Sequence, residues 1–117
     1  MNIGKEMYEW ASDLFPICRS ITGEGVRETL NYVNNVLPDL VIHEVKSGTK
    51  VFDWKVPKEW SIREAWIKDE NGKTIVDFTK NNLHLVGYSH PIDKWVNLEQ
   101  LQEVLHSLPN KPNAIPY

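Results

Sequence analysis

The sequence contains one cysteine, Cys18, so no disulfide can close within the chain. Such usage suits a reducing compartment, and the cytoplasm is the expected location. A surplus of basic charge is also missing. Thirteen Lys and Arg against sixteen Asp and Glu leave a net charge of −3, whereas nucleic-acid binding needs a basic footprint. No apolar run approaches the roughly 18–20 residues of a membrane span, and no basic stretch followed by an apolar core opens the chain as a signal peptide would. Neither nucleic acid nor membrane is therefore an expected partner. There is no block of like charges, no internal repeat and no low-complexity stretch.

The usual catalytic and metal-binding patterns are absent as well. His43, His84, His90 and His106 stand in no zinc-binding spacing, and there is no cysteine pair. His84, His90 and Asp93 are close in sequence, but lone histidines near strands more often serve as hydrogen-bonding groups. Gly87-Tyr88-Ser89-His90-Pro91 lacks the second glycine of a nucleophile elbow. Ser47-Gly48-Thr49-Lys50 lacks the spacing of a phosphate loop and leads into a strand pattern, not a helix. Asp69/Glu70 and Glu99/Glu103 fall on a turn and a polar helix face, where nothing raises a carboxylate pKa. Cys18 lies on an apolar stripe and reads as a buried, inert thiol. No catalytic residue, metal ligand or cofactor is assigned to this segment.

What the sequence does have is a block near its start, Arg19-Ser20-Ile21-Thr22-Gly23-Glu24-Gly25-Val26-Arg27. Two close glycines permit a sharp turn, and the helix that follows offers unpaired N–H groups. Arg19, Ser20, Thr22 and Arg27 are thus candidate contacts for an anion or a substrate carboxylate. The alternative is a purely structural turn, its arginines paired with Glu24 and Glu28. Before the block, Asn2 can cap a helix with Ile3, Met7, Ala11, Leu14 and Cys18 on one stripe, ended near Phe15 by Pro16. After it, Val26, Leu30, Val33 and Leu37 predict a helix over residues 24–37, stopped by Pro38.

The middle of the chain reads as β structure. Residues 40–45 are rich in β-branched side chains. Residues 51–56 alternate, with Phe52, Trp54 and Val56 on one face. Residues 63–68 and 74–78 flank Asn71-Gly72, a strong hairpin signal because both turn residues of the favoured type take positive φ. Residues 83–88 suggest a further strand, giving a small antiparallel sheet of about four or five strands. Five tryptophans are available for packing. Trp54, Trp60 and Trp66 cluster in sequence and could instead present an aromatic surface to a peptide or a glycan. A last helix begins at Asn97, which forms a capping box with Gln100, and Leu98, Leu101, Val104, Leu105 and Leu108 make its buried face before Pro109. The expected fold class is α+β. The expected divisions are a helical segment over 1–38, a β-rich module over 39–95, and a returning helix with an extended tail over 96–117.

The stretch from Leu14-Phe15-Pro16-Ile17-Cys18 through Arg19–Arg27 to Glu28-Thr29-Leu30 resembles the opening of a bacterial family of aminopeptidase-like proteins whose domains are of unknown function. The resemblance continues through Ser47-Gly48-Thr49-Lys50-Val51-Phe52-Asp53-Trp54, Val56-Pro57-Lys58-Glu59-Trp60, Pro91-Ile92-Asp93-Lys94-Trp95 and Ala114-Ile115-Pro116-Tyr117. It implies a zinc exopeptidase-type α/β fold with an inserted β-rich module, in a protein several times longer. Arg19, Gly23, Gly25 and Tyr32 are similar to residues that precede the central sheet of zinc aminopeptidases. The resemblance further implies that zinc and its ligands belong to the part beyond residue 117, that the present residues are an N-terminal, non-catalytic segment, and that their partner is the remainder of the same peptidase-like domain. Homo-oligomerisation and a polysaccharide-biosynthesis setting are further implications. A stand-alone peptide- or glycan-binding module using Trp54, Trp60 and Trp66 remains the alternative.

Overall fold

The computed structural model describes residues 2–115; the closing Pro116-Tyr117 of the resemblance lies outside them. Helix α1 (Ile3–Leu14) starts where Asn2 accepts a hydrogen bond from the Lys5 amide, as its capping position requires. Helix α2 (Glu24–Val36) starts at Gly23, whose φ of 94° is open to glycine. Two hairpins follow, β1 (Lys50–Val51) with β2 (Trp54–Lys55), and β3 (Trp66–Lys68) with β4 (Thr74–Asp77), each pair antiparallel. A 3-10 turn spans Asn82–His84, and the last helix, α3, spans Leu98–Gln102 with its Asn97/Gln100 capping box in place. The class is α+β, with the helical pair, antiparallel β structure and final helix in the expected order.

Several details differ from expectation. The β structure is two separate two-stranded sheets, not one sheet. Residues 40–45 form no strand, because β-branched composition needs a neighbouring strand to pair with, and none lies alongside. Residues 51–56 do not run as one strand: Phe52 and Asp53 are the turn between β1 and β2, so the alternation of Phe52, Trp54 and Val56 is broken at its centre. The second hairpin forms where expected, but only Gly72 takes positive φ. Asp69 explains this. Its carbonyl accepts from Gly72 N and its side chain accepts from Asn71 N and Lys73 N, which builds a longer loop with the glycine in the left-handed position. Ile75 is the extra residue of a bulge, since Lys68 pairs with Thr74 and Ile67 with Val76. Residues 83–88 turn instead of extending, and α3 ends well short of Pro109.

None of the three helices fully buries its apolar face: Val26, Leu30 and Val33 of α2 are half-buried, and Ile3 and Met7 of α1 are exposed. Among the described residues no hydrophobic side chain is fully buried. Leu98 is 68% exposed, and Leu37, Val104, Leu105 and Leu108 are exposed too. Trp54 and Trp66 are about half exposed, so they do not serve as core. The radius of gyration is 18.2 Å, against about 13 Å for a compact domain of this length. The accessible surface is 10726 Å², against roughly 6,600 Å² for a folded monomer of this mass. Order here comes from a polar knot more than from a hydrophobic core.

Candidate functional site

The knot joins three stretches far apart in sequence: residues 18–27, 58–61 and 86–89. Gly23 is the one buried residue among those described. A side chain there would collide with the Trp60 carbonyl and come within 2.7 Å of Ser61 Oγ, and one on Gly25 would collide with the Cys18 carbonyl. Both glycines therefore serve close backbone approach, and Gly23 also needs its positive φ.

The polar groups then interlock. Trp60 N donates to Thr22 Oγ1 at 3.2 Å, Thr22 Oγ1 lies 2.7 Å from Tyr88 Oη, and Tyr88 Oη donates to the Lys58 carbonyl at 3.2 Å. With the tyrosine proton directed at Lys58, the threonine proton must point to Tyr88. In that orientation each hydroxyl is both donor and acceptor. The circuit starts and ends on the same short segment, 58–60. Trp60 Nε1 donates to the Ser89 carbonyl at 2.9 Å, and the Trp60 and Tyr88 rings stack with centroids 6.1 Å apart. Tyr88 has φ 63°, a conformation bulky residues seldom adopt. Here the bonds to Thr22 and Lys58 and the ring stack hold it.

The residues proposed for anion contact meet partners within the chain. Arg19 donates to the Leu14 carbonyl at 2.8 Å and the Ile17 carbonyl at 3.4 Å, closing the end of α1. Ser20 Oγ donates to the Thr22 carbonyl at 3.0 Å. Arg27 donates to Glu24 at 2.8 Å and reaches Glu59 through both of its terminal nitrogens. Hydrogen bonding to Arg27 lowers the Glu59 pKa, and that to Glu59 raises the Arg27 pKa. The amide of Glu24 donates to Ser61 Oγ at 3.1 Å, so the start of α2 is capped from another segment. Glu59, Ser61 and Tyr88 are the members that reading the sequence did not find. No local spacing marks them, because each meets its partner across roughly thirty residues or more.

Trp54, Trp60 and Trp66 lie on the first hairpin, in the knot and on the second hairpin, and Lys68 Nζ sits 4.0 Å from the Trp66 ring centroid. Cys18 lies beyond the end of α1 and is part-buried, not buried as expected; the burial it has raises its pKa. Beside the knot, an open cavity of about 290 Å³ is lined by Phe15, Cys18, Arg19, Trp60, Leu83 and Leu85 among others. Asn82 ties its rim by donating to the Phe15 carbonyl at 2.8 Å. Among the described residues, no three His, Cys, Asp or Glu side chains gather to hold a metal ion. His84, His90 and Asp93 are therefore not brought together as a ligand set, and these residues do not fit zinc. No helix among them is long and apolar enough to cross a membrane.

A family profile described as a domain of unknown function, DUF2172, matches residues 59–117, half of the chain. The chain belongs to the DUF2172 family. Over 114 residues it is 51% identical to a protein of Clostridium acetobutylicum, provisionally named a polysaccharide biosynthesis protein with an aminopeptidase-like domain. That match covers 97% of this chain and 26% of the relative. A crystal structure of a provisionally assigned peptidase from Clostridium acetobutylicum superposes with a TM-score of 0.89 at 50% identity, over 93% of this chain and 26% of the other. This DUF2172 chain thus has the fold of part of a peptidase-like protein, and spans about a quarter of the length of the relatives it matches.

Proposed function

We propose that this DUF2172 chain is the N-terminal, non-catalytic segment of an aminopeptidase-like protein. Its role is to shape the substrate cleft of the remainder or to mediate assembly. The observation that carries the reading is the pairing of an open apolar surface with a match to a quarter of two longer proteins. A chain that buries none of its described hydrophobic side chains needs a covering partner. The apolar groups around the 3-10 turn and α3, among them Leu83, Val86, Ile92, Trp95 and Leu98, are the surface assigned to the remainder. The chemistry proposed for the whole protein is peptide-bond hydrolysis at a zinc centre lying in that remainder. The donor set described above does not fit zinc, so no step is assigned to a metal here. What this chain contributes is position: the knot fixes the start of α2 against residues 58–61 and 86–89.

The test is turnover of aminoacyl-p-nitroanilides by the 117-residue chain and by the protein at its full natural length, each titrated with zinc. Activity is expected only at full length. Turnover by the short chain would remove the non-catalytic role, and inactivity of both across a broad panel would remove the peptidase reading.

The half-exposed Trp54 and Trp66 support the second reading, a peptide- or glycan-binding module. They support it less, because aliphatic side chains elsewhere, among them Ile3, Val86, Ile92 and Leu98, are more open still. Shielding of tryptophan fluorescence from acrylamide by oligosaccharides or peptides would favour it over the first.

A further inference from the structure

Phe52 combines a disfavoured backbone with an unheld side chain. It occupies the first of the two turn positions between β1 and β2 at φ 51°, and its ring is 91% exposed. Asp53 does not share the positive φ, so the turn has the pattern in which the first position ordinarily belongs to glycine. Tyr88 has a similar φ but is held by hydrogen bonds and a stacked ring. At Phe52 the ring meets nothing comparable. Strained positions of this kind concentrate at binding and switch regions, where something else holds them. The surroundings are basic: Lys46, Lys50, Lys55 and Lys58 accompany the single acid Asp53 over residues 46–58, while the whole chain carries −3. The hairpin is therefore a basic projection with an aromatic tip on an otherwise acidic chain.

The same chain carries a receptor of opposite character. Between α1 and α2 lies an open groove of about 140 Å³ lined by Trp10, Leu14, Tyr32, Val33, Val36 and Leu37. An apolar space of about 150 Å³ accommodates a benzene ring. Asp13 edges it, and Glu9, one turn earlier on α1, is paired with Lys5 at 3.6 Å. Asp13 accepts from Tyr32 Oη at 2.7 Å, and that bond, with Glu9 adding to the negative field, raises the Tyr32 pKa.

We propose that the β1–β2 hairpin is an assembly arm, with Phe52 entering the α1–α2 groove of a second copy and Lys50 and Lys55 facing its Glu9 and Asp13. Reciprocal insertion makes two identical contacts and a closed dimer. The inference deepens the assembly role proposed above and commits it to one partner. It does not depend on peptidase chemistry, so loss of the dimer and loss of the peptidase reading are separate results.

The test uses the protein at full natural length in sedimentation velocity. The wild type should dimerise. Phe52→Gly should weaken the dimer at least about 30-fold, as loss of a central aromatic anchor does, while the monomer keeps its native circular dichroism because glycine suits the turn. Val36→Arg, which fills the groove, should also give monomers. Mixing the two variants should recover one of the two contacts, the Val36→Arg arm in the Phe52→Gly groove, and so associate more tightly than either variant alone. A monomeric wild type, a dimer indifferent to Phe52→Gly, or a mixture that associates no more tightly than either variant alone would each overturn the proposal.

Discussion

At the scale of single residues, Gly23 is the most constrained position described. It combines positive φ, burial and a neighbouring carbonyl that a methyl group would strike. Gly23→Ala should cost about 2–4 kcal/mol, a combined steric and backbone penalty, read as a fall in thermal midpoint. The glycine-rich turn was legible in the sequence, but the reason for it was not, because Trp60 and Ser61 arrive from another segment. The arginines show the same limit. Arg27 with Glu24 follows from helical spacing, whereas Glu59 is visible only once the chain is folded. That pair also sets a pH response. Arg27 lowers the folded pKa of Glu59, so its contribution is present above the ordinary glutamate range and is lost as pH falls through the lowered value. A carboxyl titration by NMR should find Glu59 below the ordinary glutamate range, and Arg27→Met should raise it.

At the scale of elements, what local chemistry decides was readable and what pairing decides was not. Asn2 and Asn97 cap α1 and α3 through bonds to residues three positions on, so both starts were legible. The cap of α2 comes from Ser61, thirty-seven residues away, and left no local mark. Ser61→Ala should remove about 1 kcal/mol from α2, seen as faster amide exchange over its first turn with α1 unaffected. The two hairpins divide in the same way. Asn71-Gly72 announced the second, although Asp69 changed its turn, whereas Phe52-Asp53 carries none of the usual signals and hid the first inside an alternating pattern. Residues 40–45 and the far half of the last helix show propensity without a partner to realise it.

At the scale of the whole molecule, the extended shape follows from the missing core. Small-angle scattering of the 117-residue chain alone should give a radius of gyration at or above 18.2 Å, or growing aggregates; a monodisperse particle near 13 Å would show that the segment packs on itself. Composition concealed this outcome, because an ordinary hydrophobic fraction says nothing about whether the covering surface lies in the same piece of chain. The knot has one more consequence. The family match begins at residue 59, in the middle of it, with Glu59, Trp60, Ser61 and Tyr88 on one side of that boundary and Thr22, Gly23, Glu24 and Arg27 on the other. The unit recognisable by ancestry and the unit that coheres physically therefore have different edges. Cutting at the first would sever every tie that Thr22, Glu24 and Arg27 make to the matched region. A piece starting at residue 59 would begin with an unpaired carboxylate and an indole whose backbone has lost its anchor.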